Sequence, residues 1–195
     1  MVSPDTPVRT PNFYGRQAEL ENMTEALSGS SSRKTVVLWG IGSFGKSQLA
    51  LKFQSLYFSK TVSKIWIDAR DLDNFATYKD IVLDVLEYER VPAVTSTDKT
   101  GSRASPAKLP LYQVKARLEE SSDQDWLIII DDVDGLPSRY RIEQLLPECD
   151  HGNIVMTTNR SDLASIVKGC AIEIGTLDEA AGVEMFLGRF TSRGH

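Results

Sequence analysis

One glycine-rich segment of the sequence ends in a lysine and a serine, and residues of these types in this order can bind phosphate. Residues 40–47 read Gly-Ile-Gly-Ser-Phe-Gly-Lys-Ser and fit the phosphate-loop pattern G-x-x-x-x-G-K-[ST]. Glycines allow consecutive amide N–H groups to point at phosphate oxygens, and the following helix adds the positive end of its dipole. We expect Lys46 to reach the β- and γ-phosphates and the Ser47 hydroxyl to bind Mg²⁺. The predicted nucleotide-binding residues of this segment are Gly40, Ile41, Gly42, Ser43, Phe44, Gly45, Lys46, Ser47 and Gln48.

The alternative for residues 40–47 is a glycine-rich turn between a strand and a helix that binds nothing. The flanks make this the poorer explanation, because an apolar strand precedes the segment and an amphipathic helix follows it. The fourth position of the pattern is often glycine, and here it is Ser43. If the main chain needs a positive φ there, the serine costs about 1 kcal/mol, which would loosen nucleotide binding without abolishing it.

A second segment able to do chemistry is the apolar run 127–130, which ends in two carboxylates. Asp131 is predicted to hold Mg²⁺ through water, and Asp132 to orient or deprotonate the attacking water. Buried strands often end in acidic loops, so the pattern alone is weak. Its position after a phosphate loop makes it a strong indication of a magnesium and hydrolysis site. Asp134 is expected to be a solvated loop residue or a helix cap.

Polar residues also follow the next apolar run, where the sequence reads Thr157-Thr158-Asn159-Arg160. A polar or basic side chain at this point would face the γ-phosphate and distinguish ATP from ADP. The alternative is an exposed arginine beside a capping asparagine. The sequence has no NKxD segment after a late strand, so adenine is the expected base.

These segments need a sheet to position them, and the apolar pattern predicts one. Short apolar runs, several of them apolar on both faces, alternate with helical spacings, which is typical of an α/β fold with a parallel sheet covered by helices. Residues 92–110 carry three prolines and few apolar side chains and are predicted to form a mobile surface loop. The predicted strands lie at 35–39, 65–67, 126–130, 153–157 and 171–174, and the helices around 20–27, 49–56, 75–86, 111–118, 142–145 and 183–190.

Composition limits the classes of partner. The chain has 195 residues, enough for one domain, and a formal net charge of −5, which argues against a nucleic-acid partner. Cys149 and Cys170 have no CxxC spacing and no pair of histidines at zinc-ligand spacing, which favours a reducing compartment over a zinc site or a disulfide. No apolar stretch is long enough for a membrane span, and residues 1–10 do not read as a signal peptide. We therefore expect a cytoplasmic protein without a membrane partner.

The order of these segments resembles the NB-ARC branch of the STAND ATPases, the switch domains of NLR-type immune and cell-death receptors. The resemblance covers about residues 8–190. It begins with Phe-Tyr-Gly-Arg-Gln-Ala-Glu-Leu at 13–20 and continues through the phosphate loop, the acidic pair and residues 157–160. The segments 38–40 and 65–69 are most similar to fungal members.

The resemblance implies roles for further residues. Phe13, Tyr14 and Arg16 would form the end of the site that binds adenine and ribose. The sensor arginine of the family usually follows two Thr or Ser residues directly, whereas here Asn159 holds that place and Arg160 comes one position later. Asp132 and Arg160 are accordingly the predicted catalytic residues.

The resemblance also implies an architecture and a function. It implies a three-layer α/β/α P-loop NTPase with a mainly parallel five-stranded sheet, in which the strand ending at Thr158 separates the phosphate-loop strand from the acidic strand. Residues 1–12 would be an extension and 13–195 the nucleotide-binding core, because the helical domain and the winged helix of the family have no counterpart in this sequence. The expected function is an ATP/ADP switch that hydrolyses ATP slowly with Mg²⁺, with self-association only in the full-length receptor. The alternatives are an AAA+-type ATPase doing mechanical work, a metabolic phosphotransferase, and a scaffold that binds nucleotide poorly.

Overall fold

Strands and helices alternate along the chain in a computed structural model, which describes residues 12–29, 32–56, 63–70, 118–120, 126–136 and 141–191. The predicted helices around 75–86 and 111–118, the predicted loop 92–110 and nearly all of the predicted N-terminal extension lie outside the described residues, although residues 118–120 are helical. In chain order the elements are α1 (Gln17–Leu27), β1 (Lys34–Trp39), α2 (Lys46–Leu56), β2 (Ser63–Asp68), β3 (Trp126–Asp131), a 3₁₀ turn (Val133–Gly135), α3 (Ile142–Leu145), β4 (Asn153–Thr158), α4 (Leu163–Ile166), β5 (Cys170–Glu173) and α5 (Glu179–Thr191).

The five strands form one sheet in the order β2-β3-β4-β1-β5, and every neighbouring pair is parallel. The strand ending at Thr158 therefore lies between the phosphate-loop strand and the acidic strand, as predicted. In the register, Trp39 lies opposite Thr158, and Asp68 lies opposite Asp131. Because parallel strands point the same way, the phosphate loop, the acidic pair and the polar turn after β4 come together at the carboxyl ends of the strands.

The two faces of the sheet bury separate cores, because alternate side chains of a strand point to opposite faces. On β1, Val36 and Leu38 pack with α1 and α2, whereas Val37 packs into the opposite core with Leu163 of α4. Both cores therefore lie between the sheet and helices, which confirms the predicted three-layer α/β/α fold. The largest fully buried side chains include Trp66, Trp126, Phe53, Met23, Leu38 and Leu49.

Two helices differ from the expected pattern of burial. On α2, Leu49 and Phe53 are buried as the spacing predicts, but Leu56 at the end of the helix is 60% exposed. On α5, Val183, Phe186 and Leu187 share the predicted apolar spacing and lie mostly exposed. Helical periodicity thus placed these side chains on common faces but could not say what covers each face.

The fifth strand is displaced by one residue from its predicted bounds of 171–174. It begins at Cys170 and ends at Glu173, and the Ile174 amide donates a hydrogen bond to the Trp39 carbonyl oxygen at 2.7 Å. The buried Ile174 side chain continues the packing beyond the ladder. No helix within the described ranges is long and apolar enough to cross a membrane.

Candidate nucleotide-binding site

The phosphate loop owes its shape to residues with positive φ. Gly40 has a φ of 148° and Gly45 a φ of 88°, values that side chains with a Cβ rarely adopt. A Cβ at Gly40 would also lie 2.3 Å from the Ile174 carbonyl oxygen, so packing against the end of β5 demands glycine there. Ser43 has a φ of 68°, so the main chain at the fourth position of the pattern is left-handed. A serine is less stable in this conformation than a glycine would be.

The inside of the phosphate loop is open. A Cβ added at Gly42 or Gly45 would meet no atom within 4 Å, and residues 41–43 are exposed. Residues 42 and 43 form a turn just ahead of α2. An exposed turn ahead of the first turn of α2, where Gln48 lies, suits a phosphate ligand.

Lys46 folds back across the phosphate loop. Its ammonium group donates to the carbonyl oxygens of Gly40 at 2.8 Å and Ile41 at 3.0 Å, and to the Asn159 side-chain oxygen at 2.9 Å. Partial burial lowers the pKa of Lys46, and the nearby carboxylates, Asp134 foremost, oppose that shift. The lysine thus bridges the loop and the turn after β4.

Ser47 and Asp131, 84 positions apart in sequence, are in direct contact. The Ser47 hydroxyl donates to Asp131 Oδ1 at 2.8 Å, and the Thr157 hydroxyl donates to the same oxygen at 2.5 Å. Burial raises the pKa of Asp131, although these two hydrogen bonds stabilise its charged form. A buried carboxylate beside a serine hydroxyl at an open phosphate loop has the donor chemistry that Mg²⁺ prefers.

The fit to Mg²⁺ depends on ligands that the nucleotide itself would bring. No group of three or more His, Cys, Asp or Glu side chains in the described ranges could form a complete metal site. Mg²⁺ at NTP sites is typically held by one or two protein ligands together with phosphate oxygens and water. Ser47 and Asp131 satisfy that smaller requirement.

Asp132 stands at the rim of the site. Its φ is 55°, its amide donates to the Thr157 hydroxyl at 2.9 Å, and its side chain is 40% exposed. The Arg70 guanidinium lies 3.5 Å from its carboxylate, while the same group binds Asp68 at 2.5–3.2 Å and lowers the pKa of Asp68. Asp132 can therefore meet a water molecule.

Arg70 and Asp68 are site neighbours that sequence analysis did not identify. The segment 65–69 contributed to the family resemblance, but no site role was predicted for Asp68 or Arg70. Only the pairing of β2 beside β3, which the sequence pattern does not specify, brings them to the acidic pair.

The turn after β4 presents Asn159, not Arg160, to the phosphate loop. Arg160 forms an ion pair with Asp162 at 2.7 Å, and its side chain is 55% exposed. Successive side chains of the turn point in different directions, and the one that contacts Lys46 is Asn159. The structure thus separates Arg160 from the other predicted site residues, and its catalytic role stays a prediction.

Asp134 is exposed, as predicted for a loop residue, but it does not cap a helix. Its carboxylate accepts hydrogen bonds from the Thr158 hydroxyl at 2.8 Å and the Asn159 amide at 2.5 Å. The short loop after β3 is therefore attached to the turn after β4.

The predicted base-binding segment lies against the phosphate loop. Arg16, whose side chain is only 8% exposed, donates to the carbonyl oxygens of Phe44 at 3.2 Å and Gly175 at 2.6 Å, and pairs with Glu19. Phe13 packs against the core on the α1–α2 face, with the Lys52 ammonium 5.7 Å from its ring.

The remaining aromatic residue of this segment lies against the last helix. A Cβ at Gly188 would overlap the Tyr14 hydroxyl at 1.8 Å, so Tyr14 touches α5 closely. The structure therefore brings Arg16 to the phosphate loop and Tyr14 to α5, and the adenine contact itself stays a prediction.

Comparison with known proteins identifies the fold of this chain but does not identify its family. No protein-family model matches the sequence, and no curated protein matches it. Among solved structures, the ORC2 protein of Aeropyrum pernix in ADPNP–ADP complexes is 16% identical with a TM-score of 0.62, over 95% of this chain and 54% of its own. Cdc6p from Pyrobaculum aerophilum is 17% identical with a TM-score of 0.57, over 97% of this chain and 52% of its own.

A STAND protein with a tetratricopeptide repeat sensor from Pyrococcus horikoshii is 18% identical with a TM-score of 0.50, over 98% of this chain and 28% of its own. These likenesses establish a P-loop fold and do not single out the NB-ARC branch. The chain spans about half the length of the ORC2 and Cdc6p structures it matches.

Proposed function

We propose that this chain is the nucleotide-binding core of an ATP/ADP switch of NB-ARC type, with slow Mg²⁺-dependent hydrolysis. The observation that carries the proposal is the hydrogen bond between Ser47 and Asp131, which joins the phosphate loop to the acidic strand. A glycine-rich turn with no ligand has no need of a buried carboxylate at that point. The combination is what a magnesium nucleotide requires.

The proposed chemistry assigns one task to each side chain. The main-chain amides of residues 42–45 receive phosphate oxygens, and Lys46 exchanges its present carbonyl partners for the β- and γ-phosphates. Ser47 and Asp131 would hold Mg²⁺, which would supply positive charge beside the phosphates. Asp132 orients or deprotonates the attacking water. Asn159, already at the lysine, is placed to detect the γ-phosphate.

Slow turnover is supported by the positions of two arginines. Arg70 is bound to Asp68, and Arg160 is bound to Asp162. An arginine at the transferring phosphate raises turnover by roughly 10³ or more in related chemistry. With Lys46 and Asn159 facing the γ-phosphate instead, the bound nucleotide would persist long enough to report a state.

The proposed partners are adenine nucleotide and, in the full-length receptor, a second copy of the protein. Phe13, Tyr14 and Arg16 are the proposed base-binding residues, since Arg16 donates to the Phe44 carbonyl oxygen of the phosphate loop and no guanine-specific motif is present. We propose neither a nucleic-acid nor a membrane partner, and a cytoplasmic location. The net charge of −5 and the two free cysteines support these choices.

The test compares two serines of the same helix. Ser47→Ala removes the proposed Mg²⁺ ligand, whereas Ser55→Ala removes a hydroxyl that binds only the Lys52 carbonyl oxygen on α2. Calorimetry should show the affinity for Mg-ATP falling about tenfold in Ser47→Ala, since a hydrogen-bonding or metal contact of this kind is worth roughly 1.5 kcal/mol or more. The Ser55→Ala variant should bind as wild type. Equal affinities of the two variants would contradict the proposal.

A second candidate is an AAA+-type ATPase that assembles through this core. The observation that favours it is the exposed Arg160 at the end of β4, which could reach the nucleotide of a neighbouring copy. Light scattering and turnover, measured at increasing protein concentration with ATP or a non-hydrolysable analogue, separate the two. The switch predicts a monomer with flat, slow specific activity. A defined oligomer whose activity climbs with concentration and is lost in Arg160→Ala supports the second candidate.

A further inference from the structure

The loop after β3 and the turn after β4 are joined by a carboxylate that the proposed chemistry does not use. Asp134 accepts one hydrogen bond from the Thr158 hydroxyl and one from the Asn159 main-chain amide. The Thr158 hydroxyl in turn accepts the Arg160 amide at 3.0 Å. Three polar groups of one turn are thus organised around a single anionic acceptor, and hydrogen bonds to an ionised acceptor are the stronger kind.

The same turn carries the side chain that meets the phosphate loop. Asn159 Oδ1 accepts from the Lys46 ammonium at 2.9 Å, while the Asn159 main-chain amide donates to Asp134. Asn159 is otherwise an exposed residue, and its side chain would sample several rotamers if its main chain were free. The direction of the Asn159 side chain therefore depends on the residue that holds its amide.

We infer that Asp134 is a positioning residue, which fixes the turn after β4 so that Asn159 faces Lys46 and a γ-phosphate bound there. The inference rests on the proposed function, in which Asn159 detects the γ-phosphate. It adds a link from the loop that follows Asp131 and contains Asp132 to the residue proposed to distinguish ATP from ADP. Asp134 itself touches neither the phosphate loop nor any predicted Mg²⁺ ligand through a hydrogen bond in the described part of the chain.

The first measurement needs no nucleotide. Hydrogen exchange of the Asn159 amide should accelerate about tenfold or more in Asp134→Ala, because its acceptor is gone. Asp134→Asn, which keeps one carbonyl acceptor, should give a smaller change. The matched control is Asp162→Ala, which removes an exposed carboxylate near the same turn that pairs with Arg160. Unchanged exchange in Asp134→Ala would overturn the inference whatever the protein binds.

The second measurement is the ratio of ATP to ADP affinity. In Asp134→Ala and in Asn159→Ala the preference for ATP should fall by a similar factor, about fivefold to tenfold, with ADP affinity within twofold of wild type. The double variant should show no further fall, because Asp134 acts through Asn159. A general loss of packing would instead lower both affinities and add to the Asn159→Ala effect.

The outcomes separate this inference from the proposed function. A wild-type chain that binds neither nucleotide defeats the proposed function, and the exchange result then decides the positioning of Asn159 alone. A wild-type chain that prefers ATP while Asp134→Ala keeps the full preference defeats only the inference. Additive losses in the double variant do the same, and a circular dichroism spectrum matching wild type shows that the variants are folded.

Discussion

Substitution of Asp131 by asparagine should stabilise the nucleotide-free protein while weakening its binding of Mg-nucleotide. Asp131 is 7% exposed, and burial raises its pKa, so the ionised form is held at a cost in the folded state. Both hydroxyl donors, on Ser47 and Thr157, bind the same oxygen, Oδ1. An asparagine carbonyl oxygen at that position keeps both hydrogen bonds and removes the charge.

The expected gain in stability depends on which interactions of Asp131 the substitution removes and which it retains. The volume, the two hydrogen bonds and the surrounding packing are retained, so relief of the buried charge is the main term. Substitutions that remove a destabilising feature of a functional site commonly stabilise by about 0.5–2 kcal/mol. For a chain of 195 residues this corresponds to a rise in melting temperature of roughly 1–8 °C.

The expected pH dependence of stability follows from the direction in which the pKa of Asp131 is shifted. A carboxyl group whose pKa is higher in the folded than in the unfolded state binds its proton more tightly when folded, so ionisation disfavours the folded protein. Wild type therefore loses stability relative to Asp131→Asn as pH rises from the ordinary aspartate pKa of about 4 through the raised folded value. The difference in melting temperature should therefore grow from pH 4 toward pH 7.

Calorimetric melting of both proteins between pH 4 and pH 7, without nucleotide, measures this difference. Titration with ATP, with and without Mg²⁺, then measures the functional loss, which should appear only when Mg²⁺ is present. A variant that melts below wild type at pH 7, or a difference that grows as pH falls, would refute the account of Asp131 as a buried charge kept for its ligand.

Three further substitutions test other parts of the site. Lys46→Ala should lower nucleotide affinity more than tenfold with an unchanged circular dichroism spectrum, since a contact to a charged group is worth about 1.5–3 kcal/mol; retained affinity would place Lys46 away from the phosphates. Ser43→Gly should stabilise the protein by about 1 kcal/mol and tighten nucleotide binding. The control Lys168→Gly, at a φ of 53° outside the site, should stabilise the protein without changing nucleotide affinity. Tighter binding in both variants would show that the effect of Ser43 on binding is not local. Asp132→Asn should keep ATP affinity within a few-fold and abolish turnover in a phosphate-release assay, and residual full turnover would exclude Asp132 as the residue that acts on water.

Much of the fold could be predicted from the sequence because local patterns determine it. The apolar runs specified buried parallel strands, and the left-handed conformation at Ser43 followed from the geometry that the phosphate-loop pattern imposes. The position of the strand ending at Thr158 between the other two followed from the resemblance, not from periodicity, since periodicity gives strands but not their order. Asp131 was identified because a carboxylate at the end of an apolar strand is expected to lie beside the phosphate loop when such a loop precedes it in the sequence.

The rest of the site depends on contacts between residues distant in sequence, which a single sequence does not encode locally. Asn159 and Arg160 are adjacent polar residues, and only the direction of the turn decides that Asn159 meets Lys46. Asp134 had no motif, and its two hydrogen bonds exist because β3 and β4 are neighbours. Arg70 reaches Asp132 for the same kind of reason, through the pairing of β2 with β3.

The central claim, that this chain binds adenine nucleotide with Mg²⁺, is tested most directly by thermal melting with ligand. A ligand that binds only the folded state, present at one hundred times its Kd, adds about 2.7 kcal/mol, or a rise in melting temperature of roughly 5–11 °C for a chain of this size. We predict that rise with Mg-ADP or Mg-ATP and little change with Mg-GTP. In Lys46→Ala, whose affinity is expected to be more than tenfold lower, the rise at the same ligand concentration should be at most about half as large. An equal rise with GTP would contradict the adenine assignment, and the absence of a rise with all three at millimolar concentration would contradict nucleotide binding itself.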